Sequence, residues 1–229
     1  MMTQVSVGIV TGASRGLGLA LTRELLMRGW RVVVDARDAA ALGRATAGLD
    51  RVVAVPGDVT GPDHRARLVA AAGEPIDLIV NNASTLGPSP QPALVDYPLD
   101  ELRRVYEVNV LAPLALLQAA VPNLAAHAVI IDVTSDAAVE AYEGWGGYGS
   151  SKAALDQLTA VLAVERPELR VYAADPGDMR TQMHQEAFPG EDISDRPPPE
   201  ASIPGLLALI EGSLPSGRYQ VRGLAPGPA

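Results

Sequence analysis

Two side chains four positions apart are the strongest candidates for chemistry in this sequence. Tyr148 and Lys152 lie in a stretch with helical character, so we expect them on one helix face, with the ammonium near the phenol. A phenol has an unperturbed pKa of about 10, and a nearby positive charge favours the phenolate and lowers the pKa. The spacing therefore predicts that Tyr148 moves a proton as a general acid or base.

A glycine-rich turn after the first predicted strand could hold an anion. It reads Thr11-Gly12-Ala13-Ser14-Arg15-Gly16-Leu17-Gly18 and leads into a predicted helix. Glycine lets the backbone turn tightly and approach a pyrophosphate, while a helix N-terminus supplies N–H donors and partial positive charge. The turn is therefore predicted to cradle phosphate.

The elements that must position these residues alternate along the chain. Short apolar, β-branched runs predict buried strands at 5–10, 31–34, 51–55, 76–80, 128–133 and 169–173. Helices are predicted between them at 16–28, 39–47, 64–72, 99–125 and 149–164. This alternation predicts an α/β fold: a Rossmann-type doubly wound parallel sheet of about seven strands, with helices on both faces.

The pattern changes after the sixth strand. Residues 182–200 are proline-rich and show little periodicity, so we expect a surface loop that shapes a substrate site. A short apolar helix is predicted at 201–211, a last strand at 218–222 and a disordered tail at 225–229. The length of 229 residues suits one domain, so residues 1–229 are expected to fold as a unit.

Composition argues against several classes of function. The chain has no cysteine and three scattered histidines, so no metal site is expected. The formal charge of -9 and the lack of a basic run argue against nucleic-acid binding. No stretch reaches roughly 18 uninterrupted apolar residues, and no basic signal-peptide head precedes the first strand. We therefore expect a cytoplasmic protein with no membrane partner.

Further residues accompany the glycine turn and the Tyr148–Lys152 pair at characteristic distances. They are Asp58-Val59, Asn81-Asn82-Ala83-Ser84, Asn109, Ser135 and Pro176-Gly177. With them, residues 5–181 closely resemble the short-chain dehydrogenase/reductase family. The most specific part is the set Ser135, Tyr148 and Lys152, separated by thirteen and then four residues. Ser84 stands where the family usually has glycine.

The resemblance implies a single dinucleotide-binding oxidoreductase domain with its cofactor along the glycine turn. The pyrophosphate would lie on Gly12, Gly16 and Gly18, next to Ser14, Arg15 and Leu17 of the same turn. Asp58 and Val59 would contact the adenine, and Asn81 and Ala83 would lie on the side of the adenosine ribose. Pro176, Gly177 and Thr181 would lie by the nicotinamide. Tyr148 and Lys152 would also contact the cofactor.

The resemblance also implies a catalytic set of Asn109, Ser135, Tyr148 and Lys152. Ser135 would hydrogen-bond the substrate oxygen while Tyr148 gives a proton to a carbonyl or takes one from an alcohol. Asn109 would belong to a proton relay through Lys152, the chain's sole lysine, a compact charge that arginine would replace poorly. A strand-end cap at Ser135 and a plain helix-surface asparagine at 109 are the structural alternatives.

Four large side chains flank this set or lie in the 182–200 segment, where they could shape a substrate pocket or pack as ordinary loop residues: Tyr142, Trp145, Met183 and Phe188. We expect NADP(H) to be favoured over NAD(H), because Arg37 and Arg15 could meet a 2′-phosphate. The acid used by NAD-preferring relatives would align with Ala36. Asp35 leaves NAD(H) open, since a shift of one residue would place a carboxylate against the ribose.

These features predict an NADP(H)-dependent oxidoreductase that interconverts a small-molecule ketone or aldehyde and an alcohol. The alternative is a non-catalytic dinucleotide-binding regulatory or scaffold protein of the same fold. Enoyl reduction is disfavoured because that branch separates its tyrosine and lysine further, and epimerase or dehydratase relatives usually carry a longer C-terminal part. By analogy with the family we expect a homodimer or homotetramer paired through 99–125 and 149–164.

Pro113 interrupts the longest predicted helix, 99–125. It has no N–H, so the carbonyl of Asn109 loses its α-helical partner. A kink tolerated by packing is one interpretation. The other is that the freed carbonyl holds an ordered water that links Lys152 to solvent.

Overall fold

The computed structural model describes residues 5–73 and 75–224. Within them, seven parallel strands form one sheet in the order β3-β2-β1-β4-β5-β6-β7. The strands are β1 Val7–Val10, β2 Arg31–Val34, β3 Val52–Ala54, β4 Ile76–Asn81, β5 Leu124–Val133, β6 Arg170–Asp175 and β7 Gly217–Gln220. The predicted Rossmann-type α/β fold is confirmed.

Helices connect the strands and cover both faces of the sheet. They are α1 Gly16–Met27, α2 Ala39–Thr46, α3 Pro62–Ala72, α4 Leu99–Tyr106, α5 Ala112–Ala120, α6 Gly146–Glu165, α7 Gln182–Ala187 and α8 Ile203–Glu211. The strand order reverses between β1 and β4, so the connections that leave these two neighbouring strands run to opposite faces of the sheet and open a crevice.

Alternate residues of each strand supply two cores. Val10 and Val34 pack into one core with residues of α1 and α8, while Ile9 and Val33 pack into the other with residues of α3 and α5. All four of these side chains are fully buried. A strand buried on both faces requires a continuous apolar run, which is why the β-branched segments marked the sheet correctly.

The helix predicted over 99–125 is interrupted. The chain is α-helical in α4 and α5, but Glu107–Leu111 between them is π-helical, and the Ala112 N–H donates to the Glu107 carbonyl. Pro113 has no N–H to close the usual bond to Asn109, which explains the change of bonding. Leu124 and Ala125 belong to β5 instead. The run Leu99–Asn123 has the length and hydropathy of a membrane span, with 44% of its most apolar window buried in the fold.

The segment 182–200 is not entirely irregular. Its first third forms α7, which Thr181 caps by accepting a hydrogen bond from the His184 N–H at 3.2 Å. Prolines from Pro189 onward obscure this short helix in the sequence. The predicted disordered tail at 225–229 lies outside the described residues.

Candidate active site

A cleft of about 1100 Å³ runs along the carboxyl edge of the sheet, from the glycine turn to Tyr148. Most of the predicted site residues line it: Gly12, Ser14, Arg15, Gly16, Leu17, Arg37, Asp58, Val59, Ala83, Ser135, Tyr148, Lys152, Pro176, Gly177 and Thr181. Three others, Gly18, Asn81 and Asn109, are not among its lining residues. The cleft thus joins the predicted phosphate cradle to the predicted proton-transfer residues.

The glycine turn is shaped for close approach. Gly12 has φ +69°, and a Cβ there would lie 2.8 Å from the Ala83 Cα. A Cβ at Gly18 would lie 2.5 Å from the Asn82 Nδ2 and 2.7 Å from the Gly12 carbonyl oxygen. Gly18 therefore faces the turn, not the cleft, and lets α1 pack closely against it. No side chain caps the start of α1. The N–H groups at this end of α1 suit a phosphate.

Thr11 and Asn82 join the carboxyl ends of β1 and β4 beneath the turn. The Thr11 hydroxyl accepts from the backbone N–H groups of Asn82 and Ala83, both at 3.0 Å. The Asn82 side chain donates to the carbonyls of Thr11 at 2.9 Å and Gly12 at 3.1 Å. These bonds fix the floor of the cleft.

The Asn81 side chain is hydrogen-bonded inside the fold. Its amide donates to Asp132 at 2.7 Å, and the other Asp132 oxygen accepts from Thr159 at 2.7 Å. Burial raises the pKa of Asp132, against the opposing effect of these two hydrogen bonds. The Asn81 side chain thus stabilises a buried polar cluster next to the cleft. Asp132 escaped sequence reasoning because one acid within an apolar strand gives no spacing signal.

Tyr148 and Lys152 lie on one face of α6, as predicted. The Lys152 Nζ is 5.5 Å from the Tyr148 ring centre and donates to the Val133 carbonyl at 2.8 Å. Both side chains are buried, Tyr148 at 7% exposure and Lys152 at 2%. Burial lowers the pKa of Lys152 to about 8, opposed by the nearby carboxylates of Asp132 and Asp156.

The expected lowering of the Tyr148 pKa is wrong for this structure. Burial raises the pKa of Tyr148 above its ordinary value, and the hydroxyls of Ser135 and Ser84 offset this only in part. Asp136 and Asp175 raise the pKa further. The sequence argument weighed one neighbouring charge and could not weigh desolvation, which depends on the completed fold.

Ser135 has the capping role that was its structural alternative, and it also lies beside Tyr148. Its hydroxyl accepts from the Ala137 N–H at 3.2 Å, capping a short 3₁₀ turn, and donates to Asp136 at 2.8 Å. The same hydroxyl lies beside the Tyr148 phenol and lowers its pKa. Arg218, missed by the sequence reasoning, donates to the Ser135 carbonyl at 2.9 Å. Ser135 is thus held beside the phenol from two sides.

Asn109 is fully buried, which excludes the alternative that it is an asparagine on the helix surface. Its amide oxygen accepts from the Ser84 hydroxyl at 3.1 Å and the Thr85 N–H at 2.9 Å. Its amide nitrogen donates to the Thr85 carbonyl at 2.9 Å and the Ser151 hydroxyl at 3.0 Å. The side chain therefore positions Ser84, which contacts Tyr148, and only the backbone carbonyl is left for the predicted relay.

The end of the cleft beyond Tyr148 is apolar and aromatic. Trp145 and Met183 line it, and Trp145 packs edge-on against Tyr148 with ring centres 5.8 Å apart. Phe188 packs behind Trp145 with ring centres 5.8 Å apart, and Tyr142 packs on Trp145 from outside. Two of the four predicted pocket residues thus line the cleft, and the other two support them.

Two acids and a histidine at the opposite end complete the site. Asp35 lies buried beside Gly12 and His64, while Asp58 lines the cleft. Burial opposes ionisation of Asp58, but hydrogen bonds from the Thr60 N–H and hydroxyl, together with nearby positive charge, leave the Asp58 pKa below its usual value. Among residues 5–73 and 75–224, no group of three His, Asp or Glu side chains is arranged to hold a metal ion.

Known proteins match this chain along most of its length. The sequence model of the short chain dehydrogenase family matches residues 6–192. The 1-deoxy-11-beta-hydroxypentalenate dehydrogenase of Streptomyces arenae is 38% identical over 79% of this chain and 64% of its own length. The rhamnolipids biosynthesis 3-oxoacyl-[acyl-carrier-protein] reductase of Pseudomonas aeruginosa is 32% identical over 93% of this chain and 83% of its own length.

The fold comparison agrees with the sequence matches. A short chain dehydrogenase from Escherichia coli CFT073, solved in complex with NADPH, superposes with a TM-score of 0.86. It is 25% identical and covers 95% of this chain and 96% of its own. The matched residues include the glycine turn, Ser135, Tyr148 and Lys152. The chain belongs to the short chain dehydrogenase family, whose members are oxidoreductases that bind a nicotinamide dinucleotide.

Proposed function

We propose that this protein is an NADP(H)-dependent oxidoreductase that interconverts a ketone or aldehyde and the corresponding alcohol, with Tyr148 as the acid or base. The observation that carries the proposal is the buried Tyr148 phenol in the cleft that Ser135 also lines, with the Lys152 ammonium 5.5 Å from its ring centre. The relatives named above act on hydroxyl or carbonyl groups by their names, which supports the same reaction class.

The residues of the cleft fit a nicotinamide dinucleotide. A side chain at Gly12 would collide with the Ala83 backbone, so glycine is what lets the turn lie directly against the end of β4. Thr134 is among the residues that line the cleft. Its hydroxyl is buried and has no hydrogen-bond partner among the described residues. The glycine turn would hold the pyrophosphate, Asp58 and Val59 the adenine end, and Pro176, Gly177 and Thr181 the nicotinamide end. When bound, the cofactor supplies or accepts a hydride.

The raised pKa of Tyr148 keeps its phenol in the protonated form. At neutral pH the phenol is protonated, so it can give its proton to a carbonyl oxygen as negative charge develops there. The Ser135 hydroxyl lies beside the phenol and can hydrogen-bond the same oxygen. The protonated phenol is the state that carbonyl reduction requires at its start.

Lys152 supports this proton transfer from below the ring. With a pKa of about 8, its ammonium is mostly protonated at neutral pH, and the Val133 carbonyl fixes its direction. A positive charge at this distance stabilises the phenolate left after the proton is given. Reprotonation through Lys152 and the Asn109 carbonyl is the route that the sequence suggested.

The preference for NADP(H) is supported by the charges around the adenosine end. Arg15 and Arg37 both line the cleft, where they can approach a 2′-phosphate. Asp35, the residue that could have reversed the preference, is buried and hydrogen-bonded to the Gly12 N–H at 2.7 Å. Its carboxylate is thus occupied within the fold.

The test is nicotinamide absorbance turnover by the purified protein with NADPH and a mixed panel of aldehydes and ketones. We expect reduction of at least one apolar or aromatic carbonyl compound, given Trp145 and Met183 at the end of the cleft. Tight NADPH binding without turnover on any panel member would favour the regulatory or scaffold alternative. A single-domain organisation, a cytoplasmic location and a homo-oligomeric state remain predictions.

A further inference from the structure

Asp35 follows β2 and both oxygens of its carboxylate have partners inside the fold. One oxygen accepts from the Gly12 N–H at 2.7 Å, and the other lies 2.9 Å from the His64 Nε2. Its backbone carbonyl accepts from the Ala13 N–H at 2.9 Å. Asp35 is 1% exposed. The carboxylate is therefore held against the glycine turn.

His64 on α3 has a defined proton arrangement. Its Nδ1 lies 3.2 Å from the Arg67 Nη2, and a guanidinium can only donate. The Nδ1 therefore accepts, which leaves the Nε2 to carry a proton and donate to Asp35. The result is a chain of donors that runs from Arg67 through His64 to Asp35.

The fold makes room for the imidazole at one particular position. Gly57 has φ +159°, and a Cβ there would lie 2.3 Å from the His64 Nδ1. His64 is 4% exposed. The absence of a side chain at Gly57 thus leaves space for the ring, and its two hydrogen bonds hold the ring in that space.

A carboxylate at the end of the second strand normally matters for the choice of dinucleotide. A free carboxylate there accepts the ribose hydroxyls of NAD and repels a 2′-phosphate. Here the next residues, Ala36 and Arg37, line the same cleft. An Asp35 carboxylate without its two donors would bring an uncompensated negative charge beside that arginine.

We propose that His64 is a specificity-determining positioning residue that selects NADP(H) by holding Asp35 against Gly12. It touches neither substrate nor cofactor and acts through Asp35. The inference rests on the proposed NADP(H) preference and adds the hydrogen bond from His64 to Asp35 that makes this preference possible. It explains how an acid can follow β2 directly while Arg37 remains available to a 2′-phosphate.

The test is the dissociation constant of NADPH and of NADH, measured by fluorescence titration without substrate. His64→Phe keeps a ring but removes the donor, so the ratio Kd(NADH)/Kd(NADPH) is expected to fall about tenfold. His64→Gln keeps an N–H donor and is expected to stay within about twofold of the parent ratio. Adding Asp35→Asn to His64→Phe removes the released charge and is expected to restore the ratio.

An unchanged ratio in folded His64→Phe, or an equal fall in His64→Gln, would overturn the proposal. Asp35→Asn alone is informative even if position 64 tolerates no substitution. It keeps the oxygen that accepts from Gly12, so both dissociation constants should move by the same factor, and a change in their ratio above about twofold would contradict the inference. A parent protein that binds neither nucleotide would instead refute the proposed function.

Discussion

The Lys152 ammonium lies 5.5 Å from the centre of the Tyr148 ring, yet its hydrogen bond goes to the Val133 carbonyl. We therefore expect the lysine to act on the phenol through its charge, from beneath the ring. Because Tyr148 is also buried, its pKa stays above the ordinary value despite that charge. In the proposed reaction, Tyr148 is the protonated acid and Lys152 is the cation that would stabilise its conjugate base.

The pH dependence of carbonyl reduction should report Lys152. The active form has Tyr148 protonated and Lys152 charged, and Lys152 has the lower pKa, about 8. As the pH rises through this value the ammonium is lost, so kcat/KM for reduction is expected to fall above about pH 8. The measurement is the pH profile of kcat/KM with saturating NADPH.

Lys152→Arg supplies the control for that profile. A guanidinium does not deprotonate in this range, but it is larger and planar where the fold holds a compact ammonium near Val133. We expect a severe loss of kcat, with the residual activity lacking the fall near pH 8. Near-normal activity would show that charge alone is required, and an unchanged fall would assign the titration to another group.

Arg37 should contribute to NADPH binding and little to NADH binding. Arg37→Ala is expected to weaken NADPH about tenfold, because it removes a cation that lines the cleft, and to leave NADH within about twofold. Titration of both nucleotides measures this. Arg44→Ala, an exposed arginine on α2 outside the cleft lining, should change neither. Equal weakening of both nucleotides by Arg37→Ala would argue against a 2′-phosphate contact.

Pro113→Ala tests the proposed relay. An N–H at position 113 can donate to the Asn109 carbonyl and convert the π-helical segment to α-helix. We expect kcat to fall about tenfold while the unfolding temperature is equal or higher. Pro122→Ala, at the end of the same helical run, should leave kcat unchanged. An unchanged kcat in Pro113→Ala would leave Pro113 as a packing feature only.

Self-association should involve the helices that the sequence singled out. Leu111 at 47% exposure and Val164 at 82% present apolar surface on the π-helical segment and α6. Sedimentation velocity at micromolar concentration is expected to give a dimer or tetramer, weakened by Val164→Asp and unaffected by Met27→Asp on α1. A monomer at that concentration would contradict this prediction.

Much of the framework could be read from the sequence because it depends on local patterns. The β-branched runs marked the strands, and the Tyr148–Lys152 spacing placed both side chains on one face of α6. The glycine turn predicted a tight backbone turn, which Gly12 makes with φ +69°.

What the sequence missed depends on contacts between distant residues. Asp35 meets His64 across 29 positions, and Asn81 meets Asp132 across 51. Neither pair has a spacing rule. The pKa of Tyr148 was misjudged for the same reason, because its desolvation is set by residues from several elements.

The most direct test of the central claim is the turnover of Tyr148→Phe with NADPH and a carbonyl substrate of the parent protein. The substitution removes the transferable proton and little of the cofactor surface. We therefore expect kcat to fall by about a hundredfold to ten-thousandfold, while the NADPH dissociation constant stays within a few-fold. Tyr219→Phe, which removes a hydroxyl bonded to Pro215 outside the cleft lining, should keep full activity. Turnover by Tyr148→Phe at the parent rate would contradict the account.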